Sequence, residues 1–173
     1  MNGATPDLRT LFDDHHRSIY RFFLRLGAPG NEAEDLTQDV FLRALRVDHR
    51  RPVLRAAAWL FRIARNLWID RLRHRRRWRV VESDRELDPA DGDFAIGPHQ
   101  ALEVRLDQAL GGLPEADRET FLLRELGGLG YDEIAAVTGH SPAAVRSRIF
   151  RARRALRHAL APTPEVPTRE ESP

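Results

Sequence analysis

The sequence predicts an all-α protein made of two small helical domains. Apolar residues recur at spacings of three and four along several stretches, as in amphipathic helices, and no stretch alternates apolar and polar residues as a strand would. Between residues 82 and 98 this periodicity gives way to Asp, Glu, Gly and Pro. We therefore expect domains at 8–79 and 101–160, joined by a flexible acidic linker at 80–100 and followed by a disordered tail at 161–173.

Three helices are predicted in the first domain. The first covers residues 8–26 and ends at residues 27–30, where two glycines and a proline stop it. The second covers about 31–47, and its acidic first turn suits the positive end of the helix dipole. The third covers about 55–79 and carries apolar residues on one side and arginines on the other.

The second domain ends in a predicted helix-turn-helix. Helical patterns resume at about Leu102 and again over 115–126, and residues 131–158 form two short helices separated by Gly139. Glycine suits this tight turn because it adopts positive φ without cost. Ser141 is then a suitable N-cap, and it is followed by a proline at the first helical position.

The last helix has one face predicted to be buried and another predicted to meet DNA. The predicted buried face consists of Val145, Ile149, Ala152 and Leu156. Another side, near the helix start, carries Arg146, Ser147, Phe150 and Arg151. The start of a recognition helix meets base edges in the major groove, and arginine can bind guanine through two hydrogen bonds. The alternative for this pattern alone is a core helix pair with a solvated arginine face.

Charge is segregated along the chain. All 28 basic residues are arginine, and the net charge is +2. Residues 1–79 hold 17 arginines and 9 acidic residues, residues 80–112 hold 2 and 8, and residues 113–160 hold 8 and 6. This distribution favours two domains that face a polyanion, separated by an acidic connector.

Several classes of function have no support in the sequence. There is no cysteine, the seven histidines are scattered without metal-ligand spacing, and no phosphate-binding glycine loop or nucleophile elbow occurs. We therefore predict no enzyme, catalytic residue, metal site, cofactor or small-molecule substrate. Residues 1–9 contain no apolar signal core, and no stretch of about 20 apolar residues exists, so we expect a cytoplasmic protein without membrane insertion.

Motif blocks in both domains resemble the extracytoplasmic-function (ECF) group of the sigma-70 family of bacterial RNA polymerase sigma factors. The blocks are residues 35–45, 59–70, 113–126, 130–135 and 145–156. The resemblance implies a sigma factor that binds core RNA polymerase and directs promoter recognition and opening. Residues 8–79 would form the region 2 domain, and residues 101–160 the region 4 domain.

The resemblance also implies roles for individual positions. Core polymerase would be bound at its clamp by Asp35, Gln38, Asp39 and Leu42, and at its flap by residues 113–126. Asn66 would contact an extruded base of the minus-ten element. The DNA backbone would be bound by Arg71, Arg73, Arg75, Arg76 and Arg77. The minus-thirty-five element would be recognised by Arg146, Ser147, Phe150 and Arg151.

Some of these positions also have simpler interpretations. The residues assigned to the clamp form one stripe of a helix, which without the resemblance would be a solvated face. Trp59 and Phe61 are predicted to be core residues rather than base-stacking platforms, and Trp68 is left open. Gly130 and Ala143-Ala144 depart from the family pattern, which usually has Ser or Thr at the first position and Gly-Thr at the second.

The implied partners are core polymerase, promoter DNA in double-stranded and melted form, and an anti-sigma factor. A conventional helix-turn-helix transcriptional regulator, acting without replacing sigma, is the main alternative, but it leaves residues 35–79 without a role. An anti-sigma or other protein-interaction module would leave the arginine surfaces of both domains unexplained.

Overall fold

All regular structure in the described part of the chain is helical. The computed structural model describes residues 8–46, 55–79 and 98–161. The helices are α1 (Leu8–Leu26), α2 (Gly30–Leu45), α3 (Ala56–Arg79), α4 (Pro98–Gly111), α5 (Glu115–Glu125), α6 (Tyr131–Thr138) and α7 (Pro142–Leu160). The predicted all-α fold is confirmed. Most of the predicted linker and tail, at 80–97 and 162–173, lies outside the described residues.

The first domain is a three-helix arrangement around an aromatic core. Phe22 of α1 and Phe61 of α3 are fully buried, and their rings meet edge to face with centroids 5.3 Å apart. Trp59 is buried as well, so the core interpretation of Trp59 and Phe61 is confirmed. Trp68, which the sequence left open, is also a core residue, with its ring 6.5 Å from that of Phe23.

The second domain packs α5 and α6 against one face of α7. The predicted face of α7 is buried at all four positions, which are Val145, Ile149, Ala152 and Leu156. Leu123 of α5 and Ile134 of α6 lie in the same core. Helix α4 also packs along α7, so α4, α5 and α6 all contact α7.

Two helices begin earlier than the sequence predicted. Helix α2 begins at Gly30 rather than at Asn31, and α4 begins at Pro98 rather than near Leu102. In the sequence, Pro98 ends the stretch rich in Asp, Glu, Gly and Pro, without apolar periodicity, that predicts the linker. At the first helical position, however, the missing N–H removes no hydrogen bond and the fixed φ suits the helix.

The turn between α6 and α7 has the geometry that the sequence predicted. Gly139 has φ of 75° and ψ of 20°, and its N–H donates a hydrogen bond of 2.8 Å to the carbonyl of Ala135. The Ser141 hydroxyl oxygen then accepts a hydrogen bond of 3.2 Å from the Ala144 N–H, which caps α7. Together these two residues set the direction in which α7 leaves the turn.

The two domains pack directly against each other, with α3 against α6 and α1 against α4 and α5. Gly127, between α5 and α6, allows this approach, because a Cβ atom there would lie 3.2 Å from Cδ2 of Phe61 and 2.7 Å from the carbonyl oxygen of Leu123. Such distances are too short for ordinary van der Waals contact. A side chain at residue 127 would therefore crowd both the backbone at the end of α5 and the contact with Phe61 of the first domain.

The turn geometry predicts a difference between two glycine substitutions. Gly139→Ala should lower the free energy of unfolding by about 1 to 2 kcal/mol, because an L-residue is strained at positive φ. Gly111→Ala is the matched control, since a Cβ atom at either glycine would have no neighbouring atom within 4 Å and only Gly139 has positive φ. The control should be neutral or slightly stabilising. Urea unfolding measures both, and equal losses would contradict the role of φ.

Candidate nucleic-acid interface

Helix α7 presents an exposed surface outside its buried face. Arg146, Ser147, Phe150 and Arg151 are all exposed, as the sequence predicted. Phe150 is the most exposed large apolar residue in the described ranges, with 63% of its surface accessible. These four side chains therefore lie on a part of α7 that the other described helices leave exposed.

Tyr131, at the start of α6, supports one of these arginines. The Arg146 guanidinium lies over the Tyr131 ring at 5.8 Å from its centroid, and the Arg124 guanidinium lies 5.3 Å from the same centroid. Both contacts are within cation–π range. Arg124 also donates a hydrogen bond of 2.7 Å to the Leu129 carbonyl. The sequence analysis did not assign Tyr131 this role.

Arg151 is held by an acidic residue of α5 that the sequence analysis missed. Its Nε donates to Oδ2 of Asp117 at 2.8 Å, and its Nη2 donates to Oδ1 at 2.7 Å. The Asp117 side chain is buried, whereas that of Arg151 remains exposed. A signal was present in the sequence, because Asp117 has the three-residue spacing of buried Thr120 and Leu123, and a buried carboxylate needs a cationic partner.

The surface predicted to bind the minus-ten element lies on α3, and its residues are not equivalent. Asn66 is exposed, as are Arg71, Arg73, Arg76 and Arg77, and Arg73 forms an ion pair of 3.6 Å with Asp70 of the same helix. Arg71 and Arg75 donate hydrogen bonds to the two carboxylate oxygens of Glu32, in the first turn of α2. These two arginines therefore join α3 to α2, and part of their charge is compensated.

The stripe predicted to bind polymerase is formed on α2. Asp35, Gln38, Asp39 and Leu42 are all exposed on this helix. Leu42 is 49% accessible, and Leu45, which the sequence analysis did not include, is 55% accessible. Two exposed leucines beside carboxylates give this part of α2 an apolar area with an acidic border.

A cleft of about 260 Å³ lies between the domains. It is lined by Leu26, Arg65, Trp68, Ile69, Glu115, Ala116, Glu119 and His140. Across it, Arg65 Nε and Glu119 Oε1 form an ion pair at 3.0 Å, with both side chains largely buried. Burial raises the pKa of Glu119, against the opposing effect of Arg65. Burial, together with the charges of Arg148 and Arg65, lowers the pKa of His140.

A second, wider groove of about 620 Å³ lies on the outer side of the second domain. Its apolar floor includes Leu106 of α4, Phe121 of α5, and Leu156 and Leu160 of α7. Glu125 and Arg153 stand at its border and form an ion pair at 2.9 Å. The groove includes part of the segment that the resemblance assigned to the polymerase flap.

Within residues 8–46, 55–79 and 98–161, no group of three or more His, Cys, Asp or Glu side chains could hold a metal ion. Nor do these ranges contain a helix that is long and apolar enough to cross a membrane.

Models of two protein-family regions match the chain. Residues 11–78 match sigma-70 region 2, and residues 103–156 match sigma-70 region 4. The two matches follow one another in the chain and correspond to the two helical domains.

Comparisons with individual relatives agree with these two family matches. The chain is 36% identical over 163 residues to the ECF RNA polymerase sigma factor SigE of Mycolicibacterium smegmatis, covering 92% of this chain and 63% of that protein. It is 34% identical over 147 residues to EcfG of Rhodopseudomonas palustris, covering 80% and 77% of the two chains. It is 30% identical over 149 residues to SigM of Bacillus subtilis, covering 85% and 91%. The chain belongs to the sigma-70 family and is an ECF RNA polymerase sigma factor.

Solved structures show the same fold. The sigma factor RpoE, in complex with the anti-sigma factor NepR from Bartonella quintana, superposes with a TM-score of 0.68, at 24% identity, over 90% of this chain and 98% of that one. CnrH, in complex with the cytosolic domain of CnrY, gives a TM-score of 0.63 at 30% identity over 88% and 86%. A sigma factor is not itself an enzyme, so the prediction of a non-enzymatic protein is confirmed through the family.

The buried ion pair between the domains predicts a pH-dependent effect of Glu119→Gln. The pKa of Glu119 is raised in the folded protein, so the folded state binds the proton more tightly than the unfolded state. Stability from this group is therefore present at low pH and is lost as pH rises through the raised pKa. Relative to wild type, Glu119→Gln should gain stability over the range from about pH 4 upwards, because about 4 is the ordinary pKa of a glutamate.

Urea unfolding at several pH values in this range measures the difference. The control is Glu34→Gln, because Glu34 is an exposed glutamate of α2. The account would be contradicted if the difference in free energy of unfolding between Glu119→Gln and wild type stayed constant with pH. It would also be contradicted if wild type gained stability relative to the variant as pH rose.

Proposed function

We propose that the chain binds core RNA polymerase and directs it to promoter DNA for transcription initiation. The region 2 domain would read and open the minus-ten element, and the region 4 domain would read the minus-thirty-five element. The observation that carries the proposal is the presence, in one chain of this family, of two separate exposed surfaces. The α2 surface is acidic and apolar and suits a protein partner, and the α7 surface carries arginines beside an exposed phenylalanine and suits DNA.

In the region 4 domain, α7 would enter the major groove with its first turns. Arg146, Ser147, Phe150 and Arg151 are exposed there and have the side chains that recognise base edges. The cation–π contact with Tyr131 limits the freedom of the Arg146 side chain before DNA binds. A restrained arginine loses less conformational entropy on binding, which favours recognition of one base pair over general attraction to phosphates.

In the region 2 domain, the exposed edge of α3 would bind the opened strand. Asn66 can donate and accept hydrogen bonds at once, which suits the edge of a base held outside the duplex. Arg73, Arg76 and Arg77 are exposed and would bind the backbone. Arg71 and Arg75 contribute to this surface mainly by joining α3 to α2 through Glu32.

Core polymerase would be bound at two places. Asp35, Gln38, Asp39 and Leu42 of α2 would contact the clamp, with Leu45 extending the apolar area. The flap would be contacted by residues 113–126, and it would bind in the apolar groove that includes Phe121. Each domain, once tethered to the enzyme, raises the effective concentration of the other at the promoter, so two modest DNA contacts act together. A protein that acts with bacterial core polymerase would work in the cytoplasm, where that enzyme is found.

We also propose that an anti-sigma factor restrains this protein. CnrH, which shares 30% identity and a similar fold with the chain, was solved in complex with the cytosolic domain of CnrY. The apolar surfaces on α2 and beside α7 would provide binding area for such a partner.

The central test combines the purified protein with bacterial core polymerase. Gel filtration should show a complex, and transcription from genomic fragments should give specific transcripts. Asn66→Ala should reduce promoter opening, and Arg146→Ala should weaken upstream binding, each by roughly 1 to 3 kcal/mol where a base contact is lost. Arg9→Ala, an exposed arginine at the start of α1, is the control and should act like wild type.

A different result would favour the other candidate function. If the protein failed to bind polymerase but retarded DNA alone at moderate salt, the proposal would be wrong, and a conventional helix-turn-helix regulator would explain the data. If Arg9→Ala lost as much activity as Arg146→Ala, general charge and not base recognition would be responsible.

The α2 surface gives a separate prediction about polymerase. Asp39→Arg reverses one charge at the centre of the stripe and should weaken core binding at least about tenfold, through repulsion and loss of the acidic border. Asp13→Arg makes the same change at an exposed position of α1 and serves as the control. Titration of fluorescently labelled polymerase measures both affinities. Equal weakening by the two variants would argue against a specific contact on α2.

A further inference from the structure

We infer that Asp117 is a positioning residue for DNA specificity, which orients Arg151 so that the free edge of its guanidinium recognises a guanine of the minus-thirty-five element. This inference rests on the proposed function, because it requires that α7 reads DNA. It assigns a role in base selection to a residue that lies on α5 rather than on the recognition helix.

The geometry of the pair leaves one recognition edge unused. A guanidinium has a side edge formed by Nε and Nη2 and an end edge formed by Nη1 and Nη2. Asp117 occupies the side edge of Arg151 with hydrogen bonds of 2.8 and 2.7 Å. The end edge keeps two parallel N–H groups, and these match the O6 and N7 acceptors that guanine presents in the major groove.

The difference in burial explains why the acid can act as a fixed support. The Asp117 side chain is 6% accessible, whereas that of Arg151 is 57% accessible. A buried carboxylate is costly without its charge-assisted hydrogen bonds, so the pair should stay formed before DNA arrives. Because α5 and α7 share one core, the anchored Arg151 side chain has a defined direction from the surface.

Pairing also changes what the positive charge of Arg151 can do. A guanidinium bound to a carboxylate adds little to the net attraction for phosphates, so its remaining N–H groups contribute hydrogen-bond geometry rather than general affinity. Removing the Asp117 charge should therefore separate two properties that usually change together. Binding to any DNA should increase, while preference for one base pair should decrease.

A second arginine pair on the same helix provides the matched control. Arg153 of α7 binds Glu125 of α5 at 2.9 Å, so it also joins these two helices through a carboxylate. The Arg153 side chain is 49% accessible and the Glu125 side chain 44%, and the pair borders the groove on the outer side of the domain. Glu125→Gln thus removes the same charge from the same helix without freeing a residue of the recognition surface.

The experiment uses holoenzyme formed from the full chain and core polymerase. The probes are duplexes that carry the minus-thirty-five element of a promoter obtained by transcription from genomic fragments, with each G·C pair changed in turn to A·T, and one duplex of random sequence. Wild type should lose affinity at one guanine, and Asp117→Asn should reduce that preference about tenfold. Asp117→Asn should also bind the random duplex more tightly, with a salt dependence steeper by about one phosphate contact.

The controls separate positioning from structural support. Glu125→Gln should keep the ratio of affinities for the G·C and A·T duplexes unchanged, and a changed flap contact leaves this ratio unaffected because both duplexes bind the same holoenzyme. Arg151→Lys keeps the charge but has no second edge, so it should lose the preference at the same guanine, and it tests the inference even if Asp117→Asn unfolds. Equal weakening of every duplex by Asp117→Asn, or an intact guanine preference in either Asp117→Asn or Arg151→Lys, would overturn the inference. Failure of wild type to bind polymerase would instead overturn the proposed function, and it would be seen before any variant is compared.

Discussion

The burial of one face of α3 is the constraint on which the rest of the structure depends. Phe61 of this helix packs against Phe22 within the first domain, and the same ring lies against Gly127 of the second domain. The apolar face of α3 therefore contributes to both the intradomain core and the contact between the domains. Because that face is fixed, the opposite face, with Asn66 and the arginines, must remain in solvent. Which side chains of α3 are exposed to solvent thus follows from which face of the helix is buried.

The helices and the buried face of α7 could be predicted because local patterns determine them. Apolar spacing identifies the face with Val145 and Ile149, and the Gly139 turn with its Ser141 cap follows from backbone preferences of two neighbouring residues. The predicted start of α4 was wrong because one residue, Pro98, belongs to a type that both interrupts helices and begins them. Whether a proline begins or interrupts a helix depends on the residues that follow it, and the apolar periodicity after Pro98 is weak.

The candidate site was predictable as a set of residues but not as a set of interactions. Exposure of Arg151 follows from its position on α7. The sequence indicates that Asp117 is buried and needs a cationic partner, but that this partner is Arg151, 34 residues away, follows only from the tertiary structure. The same holds for Glu32, which binds Arg71 and Arg75 across two helices. A count of arginines therefore overstates the charge that this protein offers to DNA. The surface that recognises a sequence is defined by which arginines have acidic partners as much as by where the arginines lie.

The close packing of the two domains has a thermodynamic consequence for any partner that requires them apart. The packing of α3 against α6, with Phe61 beside Gly127, stabilises the closed arrangement. A partner that binds only open molecules has an apparent affinity reduced by the fraction that is open at any moment. A molecule that binds the closed form lowers that fraction further without touching the surfaces on α2 or α7. The strength of the interdomain contact therefore sets a threshold for such partners, and a substitution at Gly127 would change it without altering an exposed residue of α2 or α7.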